Sequence, residues 1–333
     1  MDGKRSFKAL RKILQYRMIY VTQGHEHSIG PEVFLKAFAL LPDANKAEFT
    51  YIGTQECLKA QLDFLKINHS FKGVNLSFLN STLKCILIPK RNIPTSTQAL
   101  EAALPLIKKK DILLTLPTSK DQIFYNGKAC TGHTDFFRKY YKVKEISMVF
   151  SSPSESVLLI TDHIPLKEVS SALTEKIVVD KINLTLKNYP KFFHGFEEIL
   201  ISGINPHAGE GGLIGKEDQK IESAIQKLKV GFKKLKFVGP LSGDALHFHK
   251  NPDKRQLKVY MYHDQGLVSF KERNGVIGLN ISLGLPFLRM SPDHGTAFSL
   301  YGKNQANCLG LYYLLIKALE VQNGIRSDKN NQS

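Results

Sequence analysis

Three histidines each follow an aliphatic run and each has an acidic neighbour: His163 in Thr161-Asp162-His163, His207 in Asn205-Pro206-His207-Ala208-Gly209-Glu210, and His263 in Tyr262-His263-Asp264-Gln265-Gly266. Imidazole is the commonest transition-metal ligand in proteins, and three imidazoles leave coordination positions open for substrate oxygens. Asp162, Glu210 and Asp264 are suited to orient the rings from behind. The histidines are separated by 44 and 56 residues, so only tertiary folding can assemble them. A histidine at a strand end can equally serve as a cap or a local hydrogen-bonding group. Gly and Pro around His207 impose an unusual backbone path, and polar runs such as His263-Asp264-Gln265-Gly266 rarely serve packing, which favours the chemical reading.

Two further stretches carry chemistry. In Thr131-Gly132-His133-Thr134-Asp135, His133 is either a ligand-facing residue or an ordinary turn residue. Asn280 and Arg289 interrupt an otherwise apolar segment that runs from Asn280 to Met290. An arginine buried there needs an anionic partner, which can be a bound ligand or an internal carboxylate.

These residues must be positioned by regular elements, and the apolar periodicity supplies them. Short β-rich runs at 18–22, 49–53, 84–88, 111–116, 156–161, 198–203, 236–239 and 258–262 predict strands. Amphipathic stretches at 31–40, 55–66, 97–109, 166–188 (broken near Ser170-Ser171), 215–229 and 306–322 predict helices. Alternation of the two predicts an α/β fold with a largely parallel sheet, which places ligands at the carboxyl ends of strands.

Composition narrows the function classes. The 333 residues carry 46 Lys plus Arg against 30 Asp plus Glu, a formal charge of +16, and 37 of the 46 are lysine. The basic residues are dispersed and lack the arginine and aromatic interleaving of nucleic-acid surfaces, so no nucleic-acid partner is expected. The longest apolar runs are strand-sized, well short of the roughly 20 residues a spanning helix needs, so no membrane is expected either. Cys57, Cys85, Cys130 and Cys308 show no CxxC spacing, which predicts reduced thiols and a cytoplasmic location. Residues 1–17 hold six basic side chains and one acid, hence +5, and read as an extension or a misassigned start ahead of Met18; the polar tail 324–333 is expected to fray.

Longer stretches resemble a known family. Gly203–Asp218 (GINPHAGEGGLIGKED), Gly239–Phe248 (GPLSGDALHF), Met261–Lys271 (MYHDQGLVSFK) and Asn280–Asn307 resemble the signature stretches of the 4-hydroxythreonine-4-phosphate dehydrogenases of pyridoxine biosynthesis. Thr131–Asp135 and Asp162–Leu166 match in the same order, and the likeness runs from about Met18 to about Leu319. A more distant likeness joins His294-Gly295-Thr296-Ala297, with Gly302-Lys303 and Ala306-Asn307, to the adenosine-binding loop of isocitrate and isopropylmalate dehydrogenases. Those enzymes lack the Rossmann glycine fingerprint, as this chain does, so its absence does not count against a nicotinamide cofactor.

The resemblance implies two α/β/α sandwich subdomains with an active-site cleft between them. The first comprises 18–130 plus about 300–323, and the second 131–299 with the metal and dimer-interface elements. It implies that His163, His207 and His263 hold one divalent ion (zinc, magnesium or cobalt), and that the homodimer shares each active site across its interface. It further implies that His133, Thr134, Lys271, Asn280 and Arg289 bind the phosphorylated substrate, and that His294, Gly295, Thr296, Ala297 and Asn307 bind NAD or NADP. The implied reaction oxidises 4-(phosphooxy)-L-threonine to 2-amino-3-oxo-4-(phosphooxy)butanoate, which decarboxylates to 3-amino-2-oxopropyl phosphate. A metal on the hydroxyl oxygen favours loss of its proton as hydride departs and gives the later enolate a positive sink. Asp244 and Lys271 are both candidate proton acceptors.

One loop departs from the family pattern. Gly24-His25-Glu26-His27-Ser28-Ile29-Gly30-Pro31-Glu32 stands where the family has Gly-Asp-Pro-Ala-Gly-Ile-Gly-Pro-Glu or a close variant. Its two histidines either alter substrate or cofactor contacts or are neutral; the departure bears on substrate identity, so a paralogous dehydrogenase of another phosphorylated hydroxy acid, such as a four-carbon sugar-acid phosphate, is an alternative. A non-catalytic basic binding protein is an alternative of another class.

Overall fold

The structure, a computed structural model, describes residues 18–89 and 91–330; the basic leader 1–17 lies outside the described residues. Fifteen strands follow in chain order: β1 (Ile19–Thr22), β2 (Phe49–Gly53), β3 (His69–Lys72), β4 (Asn75–Phe78), β5 (Ser81–Leu87), β6 (Ile112–Thr115), β7 (Phe124–Tyr125), β8 (Lys128–Ala129), β9 (Ser147–Ser151), β10 (Ser156–Leu159), β11 (Glu198–Ser202), β12 (Lys236–Leu241), β13 (Gln256–Tyr260), β14 (Leu279–Leu283) and β15 (Leu288–Pro292). Among the described residues, nine α-helices of seven or more residues accompany them, α1 (Gly30–Ala39), α2 (Gln55–Phe64), α3 (Thr95–Ala103), α4 (His133–Tyr141), α5 (Leu166–Ala172), α6 (Glu175–Asn188), α7 (Asp218–Gly231), α8 (His263–Asn274) and α9 (Leu309–Asn330), with one further short α-helical turn at Asp43–Lys46.

Thirteen strands form one continuous sheet in the order β12-β11-β13-β10-β9-β14-β15-β6-β1-β2-β5-β4-β3, with β7 and β8 a separate hairpin. The expected α/β class is the observed one. Two parallel blocks, β12-β11-β13-β10 and β15-β6-β1-β2-β5, are joined through β9 and β14, which pair antiparallel with their neighbours. Helices cover the sheet because its strands are apolar on both sides: β2, β6, β9, β10 and β11 are buried at every residue. Among the described residues no helix is long and apolar enough to cross a membrane.

Each predicted strand and helix is present, the strand at 49–53 and the 166–188 stretch with their predicted outer bounds and the others with shifted ends. The break in the 166–188 stretch falls at Leu173-Thr174 rather than Ser170-Ser171, because the Thr174 hydroxyl caps α6 by accepting from Ile177 N at 3.2 Å. The last helix continues to Asn330, past the predicted end at 322. Helices α4 and α8 begin at His133 and His263, inside stretches that read as loops. Strands β14 and β15 also escape the periodicity, because Asn280, Ser282 and Arg289 interrupt their apolar runs.

The middle of the sheet positions the site. Alternation points Asn280 and Ser282 to one face of β14 and buries Leu279, Ile281 and Leu283 on the other. Ser282 is in register with Arg289 on β15 and with Met148 on β9, while Arg289 is in register with Leu113 on β6, two residues before Thr115. Four adjacent strands therefore present Met148, Asn280, Ser282, Arg289 and Thr115 on the same face.

Candidate active site

Arg289 is 4% exposed, and its guanidinium donates to hydroxyls: Nε and Nη2 to Thr115 Oγ1 at 3.1 and 2.6 Å, and Nη1 to Ser282 Oγ at 3.0 Å. The sequence left open whether an internal carboxylate or a ligand would balance this charge. Its hydrogen-bond partners are neutral oxygens, and burial alone pulls the guanidinium down to about 9. A buried cation held in position without a counter-charge is a receptor for an anionic group.

His133 opens α4, preceded by Gly132 at φ 152°, and its ring stacks on Phe137 with centroids 6.4 Å apart. Burial, and then the charge of Arg289, hold its imidazole well below the ordinary histidine range, so it is neutral at pH 7 and can donate from a ring nitrogen. Thr134 Oγ1 and Asn280 Nδ2 both lie 3.6 Å from Met148 Sδ, and Asn280 Oδ1 is buried with no partner. His133, Thr134, Asn280 and Arg289 thus meet on one face, with an unpaired amide oxygen and an unpaired cation among them.

The β14–β15 ladder carries this face onward. Asn280 is in register with Ser291, and Asp293 N donates to Gly278 O at 3.2 Å one step further along. There Lys271 Nζ, from α8, donates to Asp293 O at 3.0 Å and lies 3.3 Å from Asp293 Oδ1. Burial raises the Asp293 carboxyl against the opposing pull of Lys271, His263 and His294, which marks these four as electrostatic neighbours. Asp293 is thus the anchor of Lys271.

His263 is the first residue of α8, and its Nδ1 lies 2.6 Å from Asp264 Oδ1, which directs Nε2 outward. The His163 and His263 rings are 5.7 Å apart, the separation of about 5–6 Å that follows when two imidazole nitrogens sit about 2.0–2.1 Å from one ion. His207 sits apart from this pair in the Pro206–Gly212 turn, where His207, Ala208, Gly209, Glu210 and Gly211 all have left-handed φ between 42 and 76°. Such a run is costly for the three non-glycine residues and persists only when anchored. Buried Asp218 provides the anchor, accepting from Ile204 N at 2.8 Å and from Asn205 Nδ2 at 2.8 Å. Gln265 ties the same loop to α8 by donating to Gly203 O at 2.7 Å and accepting from Met261 N at 2.8 Å. His207 also lies close enough to Asp244 to help hold that carboxyl below its usual range, after the Ser242 hydroxyl. Among the described residues of one chain, no three His, Cys, Asp or Glu side chains form a group that could hold an ion.

The 294–307 stretch leaves β15 beside Lys271. His294 Nδ1 lies 3.0 Å from Gly295 O and its Nε2 is buried without a partner, while burial lowers the imidazole. Ala297 takes left-handed φ at 43°, Gly295 faces open space, and Thr296 O accepts from Ile29 N at 3.0 Å. Asn307 Oδ1 accepts from Leu309 N at 2.9 Å at the start of α9. Buried Glu32 fixes the neighbouring backbone by accepting from Ala306 N at 3.1 Å and from Lys36 Nζ at 2.6 Å. Thr115, Ser282, Met148, Asp218 and Gln265 were not singled out from the sequence. A hydroxyl or amide whose role is set by strand register or by a bond across 60 residues leaves no local pattern. A separate cavity of about 820 Å³, lined by Ser151, Tyr189, Phe192 and Ile281 among others, contains none of the predicted site residues.

Comparison with known proteins fits this geometry. The family profile described as "Pyridoxal phosphate biosynthetic protein PdxA" matches residues 45–312. The 4-hydroxythreonine-4-phosphate dehydrogenase of Sulfurihydrogenibium sp. is 35% identical over 306 residues, covering 86% of this chain and 92% of its own. The crystal structure of the Klebsiella pneumoniae 4-hydroxythreonine-4-phosphate dehydrogenase superposes with a TM-score of 0.74 at 25% identity, over 92% of this chain and 98% of that one. Isocitrate dehydrogenase from Methylococcus capsulatus shares the fold alone, with a TM-score of 0.50 at 11% identity over 93% of this chain and 88% of its own. The chain therefore belongs to the 4-hydroxythreonine-4-phosphate dehydrogenase family, oxidoreductases of pyridoxal phosphate biosynthesis that use a nicotinamide cofactor and depend on a metal.

Proposed function

We propose that this chain catalyses oxidation of 4-(phosphooxy)-L-threonine with NAD or NADP and a divalent ion, giving the 3-oxo acid that decarboxylates to 3-amino-2-oxopropyl phosphate. The observation that carries the substrate assignment is Arg289, a buried guanidinium without an acidic partner among the described residues, beside neutral His133. Arg289, His133 and Thr134 take the phosphate, Asn280 Oδ1 accepts from the substrate's polar centre, and Lys271 supplies a second cation at the carboxylate end. His163, His207 and His263 would hold the divalent ion, which would supply Lewis acidity for loss of the hydroxyl proton. Asp264 keeps the His263 ring in its ligand form, and Asp218 keeps the His207 turn in place. Of the two candidate proton acceptors, Asp244, ionised and exposed, takes the hydroxyl proton, and Lys271, which donates to Asp293, serves as the cation. The 294–297 loop with Asn307 holds the dinucleotide.

The working unit is a homodimer in the cytoplasm. Leu166, Leu213, Phe248 and Val268, from 66 to 87% exposed, each lie within six residues of His163, His207, Asp244 or His263. Apolar side chains around a polar site are the composition of a surface that a second copy covers. That copy completes a donor set that one chain leaves unassembled.

The test is a substrate panel for purified protein with added divalent metal, following formation of reduced nicotinamide. Oxidation of 4-(phosphooxy)-L-threonine with release of carbon dioxide supports the proposal. Oxidation of a four-carbon sugar-acid phosphate in its place, or no turnover of either, overturns it.

A further inference from the structure

The Gly24–Glu32 loop, which departs from the family pattern, faces the dinucleotide side of the site. Gly24 starts it against the backbone after β6, where a Cβ would lie 2.0 Å from Pro117 O, and His25 N donates to that same carbonyl at 3.0 Å. From this footing the His25 ring meets Phe298 edge-on with centroids 4.9 Å apart, and the His27 ring meets Tyr301 edge-on at 5.2 Å. Phe64 closes on Tyr301 from α2 at 5.4 Å. Between the two histidines, Glu26 is tied down by the Thr95 hydroxyl. The bond from Ile29 N to Thr296 O at 3.0 Å continues the contact along the backbone. None of these contacts involves His133, Thr134, Asn280 or Arg289.

His25 is held in one ring form. Its Nδ1 accepts from His27 N at 3.0 Å, which places the ring proton on Nε2, and the Ser28 hydroxyl, donating to His25 O at 2.8 Å, fixes the backbone beneath it. The partner segment Gly295–Tyr301 forms one tight turn, with Leu300 N donating to Ala297 O at 2.9 Å and Tyr301 N to Phe298 O at 3.1 Å, and is open on its outer side: Gly295 faces open space, Ala297 is left-handed, and Phe298 is half exposed. A loop of that kind takes its shape from whatever packs against it.

We infer that His25 and His27 are positioning residues for the dinucleotide: their imidazoles clamp Phe298 and Tyr301 and thereby hold the 294–301 loop in the shape that receives the cofactor. The inference rests on reading residues 294–297 as part of the cofactor site. Of the substrate and cofactor contacts that the sequence left open for the altered loop, it selects the cofactor.

The test compares His25→Ala, His27→Ala, the Phe variant at each position, and Gly295→Glu, a substitution with room for its side chain that sets a carboxylate in the loop. Removing one edge-on aromatic contact is expected to weaken dinucleotide binding about 2- to 10-fold. KM for 4-(phosphooxy)-L-threonine and kcat at saturating cofactor stay within about twofold of the parent if the clamp acts on cofactor binding alone. The Phe variants, which retain the edge contact, bind like the parent. Binding of reduced dinucleotide without substrate gives a second readout through nicotinamide emission, which no tryptophan obscures because the chain has none. His27 is exposed, so His27→Ala tests the clamp even if His25→Ala fails to fold. Weakened binding in Gly295→Glu with unchanged binding in both Ala variants overturns the clamp and leaves the cofactor-loop reading standing. Unchanged binding in all three overturns both.

Discussion

Replacing Arg289 with methionine separates what the guanidinium does for the fold from what it does for the ligand. Burial brings Arg289 from 12.5 to about 9, which corresponds to ~5 kcal/mol of lost solvation for the charged form. Methionine fills much the same volume without the charge, and strands the Thr115 and Ser282 hydroxyls at about 1 kcal/mol each. The ligand-free variant is therefore expected to be more stable by ~3 kcal/mol, a rise of a few degrees in Tm for a chain of this size. Two charge-assisted bonds to a bound phosphate contribute about 1.5–3 kcal/mol each. Their loss raises KM for the phosphorylated substrate by roughly 10²- to 10⁴-fold. Thermal unfolding with and without inorganic phosphate, together with initial rates over a substrate series, reads both quantities. A fall in Tm of several degrees with unchanged KM would refute the reasoning, because it would mean that an internal group serves as the counter-charge.

Two further outcomes follow from the same geometry. Asp264→Ala frees the His263 ring from its 2.6 Å partner and is expected to weaken divalent-metal binding about 10- to 100-fold at unchanged Tm; titration against a competing chelator measures it, and unchanged affinity counts against His263 as a ligand. His25, His133 and His294 are all lowered by burial from the ordinary 6.5. The unfolded chain therefore binds more protons than the native one as pH drops below about 6.5, and unfolding free energy falls with it. Urea unfolding at pH 7.5 and 5.5 shows that loss, and His133→Gln reduces it; an equal loss in the variant removes His133 as its source.

The chemistry was more legible than the architecture that organises it. The three histidine motifs, the Gly-His-Thr-Asp stretch and the lone arginine stood out because polar residues interrupt apolar runs, and such interruptions need a reason beyond packing. The parallel strands were legible because β2, β6 and β11 are short unbroken apolar runs. Strands β14 and β15 were hidden by the same Asn280, Ser282 and Arg289 that give them a polar face. Helix α8 was hidden because His263 and Asp264, read as loop residues, form its first turn. Register then decided what no local pattern could: that Thr115, far back in the chain, holds Arg289, and that Asp218 fixes the turn carrying His207. The altered Gly24–Glu32 loop was conspicuous in sequence, but only its ring contacts with Phe298 and Tyr301 show which side of the site it touches.

The central claim is that His163, His207 and His263 together hold the ion on which oxidation of 4-(phosphooxy)-L-threonine depends. The most direct measurement is turnover of that substrate by chelator-treated protein before and after adding back a divalent metal, with metal content determined for the parent and for His207→Ala. The account predicts that treated parent protein is inactive and recovers with the metal, whereas His207→Ala keeps the parent's Tm, binds less metal and does not recover. Full turnover without metal, or full recovery of His207→Ala, would contradict it.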